Sequence, residues 1–202
     1  YCMLGDYTPP VPESECVTVL QGMKQEAPDG VKVSYAMGSG FSEADEHEKA
    51  KAMALAEESD VIVAVVGGSS SRFGGAVFDA NGAASKGTGS RSMDCGEGMD
   101  TAKVHIPAAQ EELIAALARL GKPLVTVVIA GRAYCIEKIE NASDAVLYAF
   151  YPGPMGGRAV AELLYGSSNP SGRLPVSMPR HVGQIPVCYN YRTSVAPAYC
   201  DM

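Results

Sequence analysis

Two kinds of apolar pattern alternate along the chain. Residues 15–28, ECVTVLQGMKQEAP, read as a short helix ending at Pro28, with Asp29-Gly30 as the turn. Residues 31–36, VKVSYA, read as a short strand. Residues 42–59, SEADEHEKAKAMALAEES, are rich in Ala, Glu, Lys and Met and predict a helix with a solvated charged face; Ser42 and Asp45 have capping-box spacing. The continuous apolar run DVIVAVVG, 60–67, predicts a strand buried on both faces, as in parallel sheets.

After a long aperiodic stretch, Pro107 opens a helix that places Ala109, Leu113, Leu117 and Leu120 on one face and stops at Gly121. PLVTVVIAG, 123–131, predicts a second buried strand, YCIEKIE, 134–140, a short helix, and DAVLYAFY, 144–151, a third strand. GGRAVAELLYG, 156–166, predicts a helix with Val160, Leu163 and Leu164 inward and Gly166 as its stop. NPSGRLPVSMP, 169–179, reads as extended chain punctuated by Pro and Gly. This alternation predicts an α/β fold: a three-layer sandwich with a mainly parallel sheet and helices on both faces. No internal repeat or low-complexity linker divides the chain, so residues 1–202 are expected to form a single α/β domain. Its start at Tyr1 in loop-like sequence, and its end in YRTSVAPAYCDM, read as those of a fragment of something longer.

The net charge of −7, without a basic stripe, argues against a nucleic-acid partner, because phosphate neutralisation needs clustered Lys and Arg. No apolar run approaches the length of a membrane span, so no membrane partner is expected. Cys2, Cys16, Cys95, Cys135, Cys188 and Cys200 lie far apart, with neither Cys-x-x-Cys nor metal-ligand spacing. They read as free thiols, which leans weakly toward a reducing, cytoplasmic compartment. No metal or cofactor is expected.

The aperiodic stretch, 67–101, is longer than an ordinary connection and leaves the carboxyl end of a buried strand, where ligands of parallel sheets bind. Its start, VVGGSSSRFGG, lacks the spacing of a phosphate-cradling loop, which leaves a nucleotide- or flavin-binding domain a poor reading. Its end, MDCGEGMD, 93–100, sets Glu97 between two glycines, where a ligand can approach the backbone closely. Taken by residue type alone, Glu97, Asp94 and Asp100 fit solvated loop charges, with Asp100 also suited to brace the loop through backbone hydrogen bonds. Arg132, just past the second buried strand, suits an anion or an ion pair with a carboxylate such as Asp100. Tyr151 ends a strand and suits the wall of a cleft. His105 reads as a packed or surface residue, His47 and His181 as surface residues, and Cys95 as an inert thiol rather than a nucleophile.

The ordered series GEGMD, IPAAQEELI, GKPLVTVVIAGRAY, AVLYAFYPGPMGGRAVAELLYGSSNPSGRLPVSMPR and IPVCYNY closely resembles glycoside hydrolase family 3. It resembles the α/β sandwich domain that follows the catalytic barrel in β-glucosidases and β-xylosidases of that family. The resemblance covers nearly the whole chain and is most specific over 151–179. It implies hydrolysis of terminal β-linked glucosides or xylosides with retention, an Asp nucleophile on the barrel, and Glu97, in its Gly-Glu-Gly stretch, as general acid/base. The expected partners are therefore a β-linked oligosaccharide or glycoside and the barrel of the same protein.

Three departures qualify it. The barrel and the fibronectin-like domain are absent from this sequence. Asp100 is followed by Thr101 where members often have Arg, with Lys103 as the nearest substitute. The strand that usually precedes the LGDYT region is missing, and a parallel sheet without an inner strand exposes unpaired backbone. The competing expectation is a non-catalytic carbohydrate-binding or interaction module.

Overall fold

A computed structural model describes residues 3–5, 7–8, 11–70, 77–78, 84–85, 93–96 and 99–190. The elements, in chain order, are α1 (Val19–Gln25), α2 (Glu46–Glu57), β1 (Ile62–Gly67), β2 (Val77–Phe78), β3 (Ala84–Ser85), α3 (Ala108–Ala118), β4 (Leu124–Ile129), α4 (Glu137–Ala142), β5 (Ala145–Tyr148) and α5 (Gly156–Leu164). β1, β4 and β5 form a parallel sheet in that order. Ile62 aligns with Leu124, and Val125 with Ala145. Parallel neighbours need crossovers, and α3 and α4 supply them.

Alternation along the strands builds the layers. Ile62, Ala64 and Val66 of β1, with Leu124 and Val128 of β4, pack with Leu113, Ile114 and Leu117 of α3, Ala56 of α2 and Ile139 of α4. On the other face Val127 and Ile129 pack with Val19 of α1 and Val160 of α5, joined by Val63 and Leu147. Helices therefore cover both faces, and the expected α/β three-layer sandwich with a parallel sheet is what is found.

Boundaries differ where tertiary bonding outcompetes local pattern. The first helix starts at Val19 rather than near 15, because Val17 is bonded into the loop before α5: its N–H donates to Pro154 O and its carbonyl accepts from Gly157 N. Thr18 and Gln21 then cap α1 reciprocally. α2 is capped by Asp45, not Ser42: Asp45 Oδ1 accepts from the N–H groups of His47 and Glu48, both at 3.0 Å, while Ser42 lies in a bend outside the helix. α4 starts at Glu137, after Cys135 N has bonded to Val104 O. Gly121 and Gly166 follow α3 and α5, as expected of stops.

Residues 31–36 form no strand. A strand needs an adjoining edge to bond with, and among the described residues β1 is laddered only to β4. Val61 and Val65 stay about half exposed, as do Val31 and Met37. β2 and β3, a two-stranded antiparallel pair inside the long stretch, were not expected; the rest of 71–92 lies outside the described residues.

α1 and α5 cross with their backbones almost touching. A Cβ on Gly22 would lie 2.1 Å from Gly157 O, and one on Gly157 would lie 2.2 Å from Thr18 O. Gly22→Ala and Gly157→Ala are each expected to destabilise the fold by about 1–3 kcal/mol through overpacking. Urea unfolding reads this as a lower midpoint, with Gly172→Ala, where a Cβ meets nothing within 4 Å, as the neutral control.

Candidate functional site

The carboxyl ends of the three parallel strands converge on one edge, which carries Gly68-Ser69-Ser70 after β1, Gly131-Arg132 after β4 and Phe150-Tyr151 after β5. An open pocket of about 330 Å³ lies there, lined by Ser70, Cys95, Gly96, Gly131, Arg132 and Tyr151. It combines one cation, one aromatic ring and small residues, the mixture that suits a polar ligand with apolar faces. The ends of β1, β4 and β5 place Ser70, Gly131, Arg132 and Tyr151, and the returning limb of the long loop brings Cys95 and Gly96.

That limb is clamped to the strand ends. Asp94 Oδ1 accepts from Ser69 N at 2.8 Å, and Asp94 Oδ2 accepts from Tyr134 OH at 2.6 Å. Asp94 N and Cys95 N both donate to Ser69 O, at 2.9 and 3.3 Å. Cys95 Sγ and Tyr151 OH are 3.2 Å apart. Further on, Arg132 Nη2 donates to Met99 O at 3.4 Å, and Met99 N donates to Gly96 O at 3.2 Å. Gly68 is required beneath this clamp, since a Cβ would lie 2.1 Å from Tyr134 OH and 2.7 Å from Asp94 Oδ1. On the other side of β1, the buried Gln110 of α3 holds the strand end: its Oε1 accepts from Gly67 N, and its Nε2 donates to Gly67 O and Phe41 O.

The hydroxyls in this cluster hold their protons. Tyr134 is raised well above the usual phenol range, first by burial and then by the Asp94 carboxylate. Tyr151 is raised by burial and by its hydrogen bond with Cys95. Tyr148, which donates to Arg132 O, is pushed up to about 12, mainly by burial.

Of the residues singled out in the sequence, Arg132, Tyr151 and Cys95 meet in the pocket. Glu97, with Gly98, lies outside the described residues, between Gly96 and Met99. Bracing of the loop falls to Asp94, which is no solvated charge; Asp100 is exposed and makes no ion pair with Arg132. Thr101 and Lys103 sit exposed, bonded to each other's turn through Thr101 Oγ1 and Lys103 O at 2.8 Å. His105 is packed, with Nδ1 3.5 Å from Glu111 Oε1, while His47 and His181 are at the surface. Cys16, Cys95, Cys135 and Cys188 are free thiols. Among the described residues no His, Cys, Asp and Glu cluster could hold a metal, and no helix is long and apolar enough to cross a membrane. Ser69, Tyr134 and Gln110 were not anticipated. Gln110 had a signal, an amide in the first turn of a strongly apolar helix; Tyr134 had none, because its partner is 40 residues away.

The chain belongs to glycosyl hydrolase family 3: residues 1–200 match the C-terminal domain of that family. It is 33% identical over 215 aligned positions to a periplasmic β-glucosidase of Salmonella typhimurium, covering 96% of this chain and 25% of that protein. It is 34% identical to a β-xylosidase of Formosa agariphila, covering 94% of this chain and 23% of the relative. In three dimensions it superposes on a β-glucosidase of Listeria innocua solved with isofagomine, with a TM-score of 0.77, 28% identity, and coverage of 99% of this chain and 24% of that one. The chain therefore spans about a quarter of the length of these relatives. The lean toward a cytoplasmic compartment gains nothing from them, since one relative is named periplasmic.

Burial of the tyrosines sets a pH dependence. Unfolded tyrosines ionise near pH 10, whereas folded Tyr148 keeps its proton to about 12. Its contribution to stability is thus complete below about pH 10 and is lost as pH rises toward 12. Urea midpoints measured across that window are expected to fall, and to fall less steeply in Tyr148→Phe.

Proposed function

We propose that this chain is the acid/base-carrying domain of a retaining β-glycosidase that hydrolyses terminal β-linked glucosides or xylosides, with Glu97 as general acid/base. The observation that carries the reading is the family match over residues 1–200, taken with the resemblance of Gly96-Glu97-Gly98 to the family's Gly-Glu-Gly stretch. The pocket on the carboxyl edge of the sheet supports it, because Gly96 on its wall is the residue next to Glu97. The names of the relatives, β-glucosidase and β-xylosidase, support the sugar class.

The chemistry requires two carboxyl groups. In retaining hydrolysis they stand about 5–5.5 Å apart. One attacks the anomeric carbon and forms a glycosyl-enzyme; the other gives its proton to the departing oxygen and then takes one from the water that releases the sugar. An ordinary Glu, with a pKa of about 4.3, is ionised at neutral pH and cannot serve as the acid. The charge of a neighbouring nucleophile and closure of the cleft raise it into the working range. The nucleophile belongs to a barrel domain of the same protein, and this chain docks its carboxyl edge against that barrel.

Two outcomes test this. The 202-residue chain alone is expected to show no turnover of aryl β-glucosides or β-xylosides; clear activity that disappears in Glu97→Ala would count against the need for a second domain. In the longest natural polypeptide carrying this chain, Glu97→Ala is expected to lower kcat/KM strongly for a glycoside with a poor leaving group and little for one with a good leaving group. Azide should restore turnover of the latter by attacking the glycosyl-enzyme without a base. Equal small losses on both substrates would return Glu97 to the status of a loop charge.

A further inference from the structure

The Asp94 clamp carries a consequence for catalysis, resting on the reading of Glu97 as acid/base. Asp94 and Cys95 stand on one side of Glu97 and Met99 on the other, and both sides are bonded to strand ends: the first to Ser69, Tyr134 and Tyr151, the second to Arg132. Two chain steps separate Glu97 from Cys95 and two from Met99.

The clamp is more than loop packing. Asp94 uses both carboxylate oxygens, one on a backbone N–H that ends β1 and one on a hydroxyl that follows β4, and so ties the limb to two different strands. Charge-assisted hydrogen bonds of this kind are about twice as strong as neutral ones and fix direction as well as distance. Ser69 O, accepting from Asp94 N and Cys95 N, adds a backbone rung beside them. Cys95 itself is 4% exposed, so the limb is seated at that point.

We propose that Asp94, held by Ser69 and Tyr134, is a positioning residue that aims Glu97 at the leaving-group oxygen of the glycoside. Asp94 exchanges no proton with substrate; it sets where the acid stands when the bond breaks. A displacement of about 1 Å of a reacting group costs up to roughly a hundredfold in rate. The loss falls on the step that needs the proton. Glycosides whose aglycone leaves readily do not depend on it, so a clamp variant steepens the dependence of kcat/KM on leaving-group pKa.

The test uses the longest natural polypeptide carrying this chain and four variants: Tyr134→Phe, Asp94→Asn, Asp94→Ala and Glu97→Ala. Substrates are a 2,4-dinitrophenyl and a phenyl β-glycoside of the sugar that the wild type prefers, with thermal melting recorded alongside. Tyr134→Phe keeps the ring and deletes one hydrogen bond; Asp94→Asn keeps the shape and deletes the charge. Both are expected to lose about ten- to a hundredfold in kcat/KM on the phenyl glycoside and only a few-fold on the dinitrophenyl one. Asp94→Ala should lose at least as much as Asp94→Asn. Equal losses on the two substrates in both mild variants, with Glu97→Ala still selective, would make the clamp a stabilising contact only and overturn the proposal while leaving the role of Glu97 intact. If Glu97→Ala itself shows no selectivity, the acid/base reading falls and the proposal falls with it.

Discussion

Burial of β4 on both faces is the constraint on which the rest of the structure depends. Leu124, Thr126, Val127 and Val128 are almost wholly sealed from water, and no strand with two apolar faces can be covered by fewer than two layers. α3 and its neighbours close one face, α1 and α5 the other, and β1 and β5 take up the hydrogen bonds on either side. Even the one hydroxyl in the strand is used, Thr126 Oγ1 pairing with Ser143 Oγ at 2.8 Å. The direction of β4 then fixes the chemistry: with all three strands parallel, their carboxyl ends finish on one edge, and Arg132, Tyr151 and the returning loop meet there.

The same logic explains which parts of the fold were legible in the sequence. PLVTVVIAG announces itself because burial on both faces leaves only Thr126 to blur an apolar run, and DVIVAVVG reads the same way although the structure leaves Val61 and Val65 about half exposed. α3 and α5 are legible by period and by their glycine stops. VKVSYA misleads because β propensity describes how side chains suit a pleated surface, not whether a partner edge is present. Ser42 misleads because two residues of the right type compete for one cap, and Asp45 stands next to the first helical residue.

The site was legible in a different way. Arg132 and Tyr151 follow from the rule that ligands of parallel sheets gather beyond the strand ends. Glu97 stood out through its flanking glycines and through resemblance, not through any property of a lone Glu. The bracing residue was assigned to Asp100 when it is Asp94, because both are carboxylates in the same short stretch and only the fold shows which one reaches Tyr134, 40 positions along. Long-range side-chain pairs of this kind leave no periodic trace.

The Ser69–Asp94 junction closes an excursion of 25 positions with its two ends bonded together. Loop-closure entropy rises only logarithmically with length, by about 0.6 kcal/mol for each doubling. The junction therefore works as a buckle: chain can be added to or removed from the excursion beyond it at small thermodynamic cost, while the strand ends and the pocket behind it keep their places. Variation between residues 70 and 93 is thereby uncoupled from the seat of Asp94 and Cys95, which makes that interval the natural place to exchange loops in this domain.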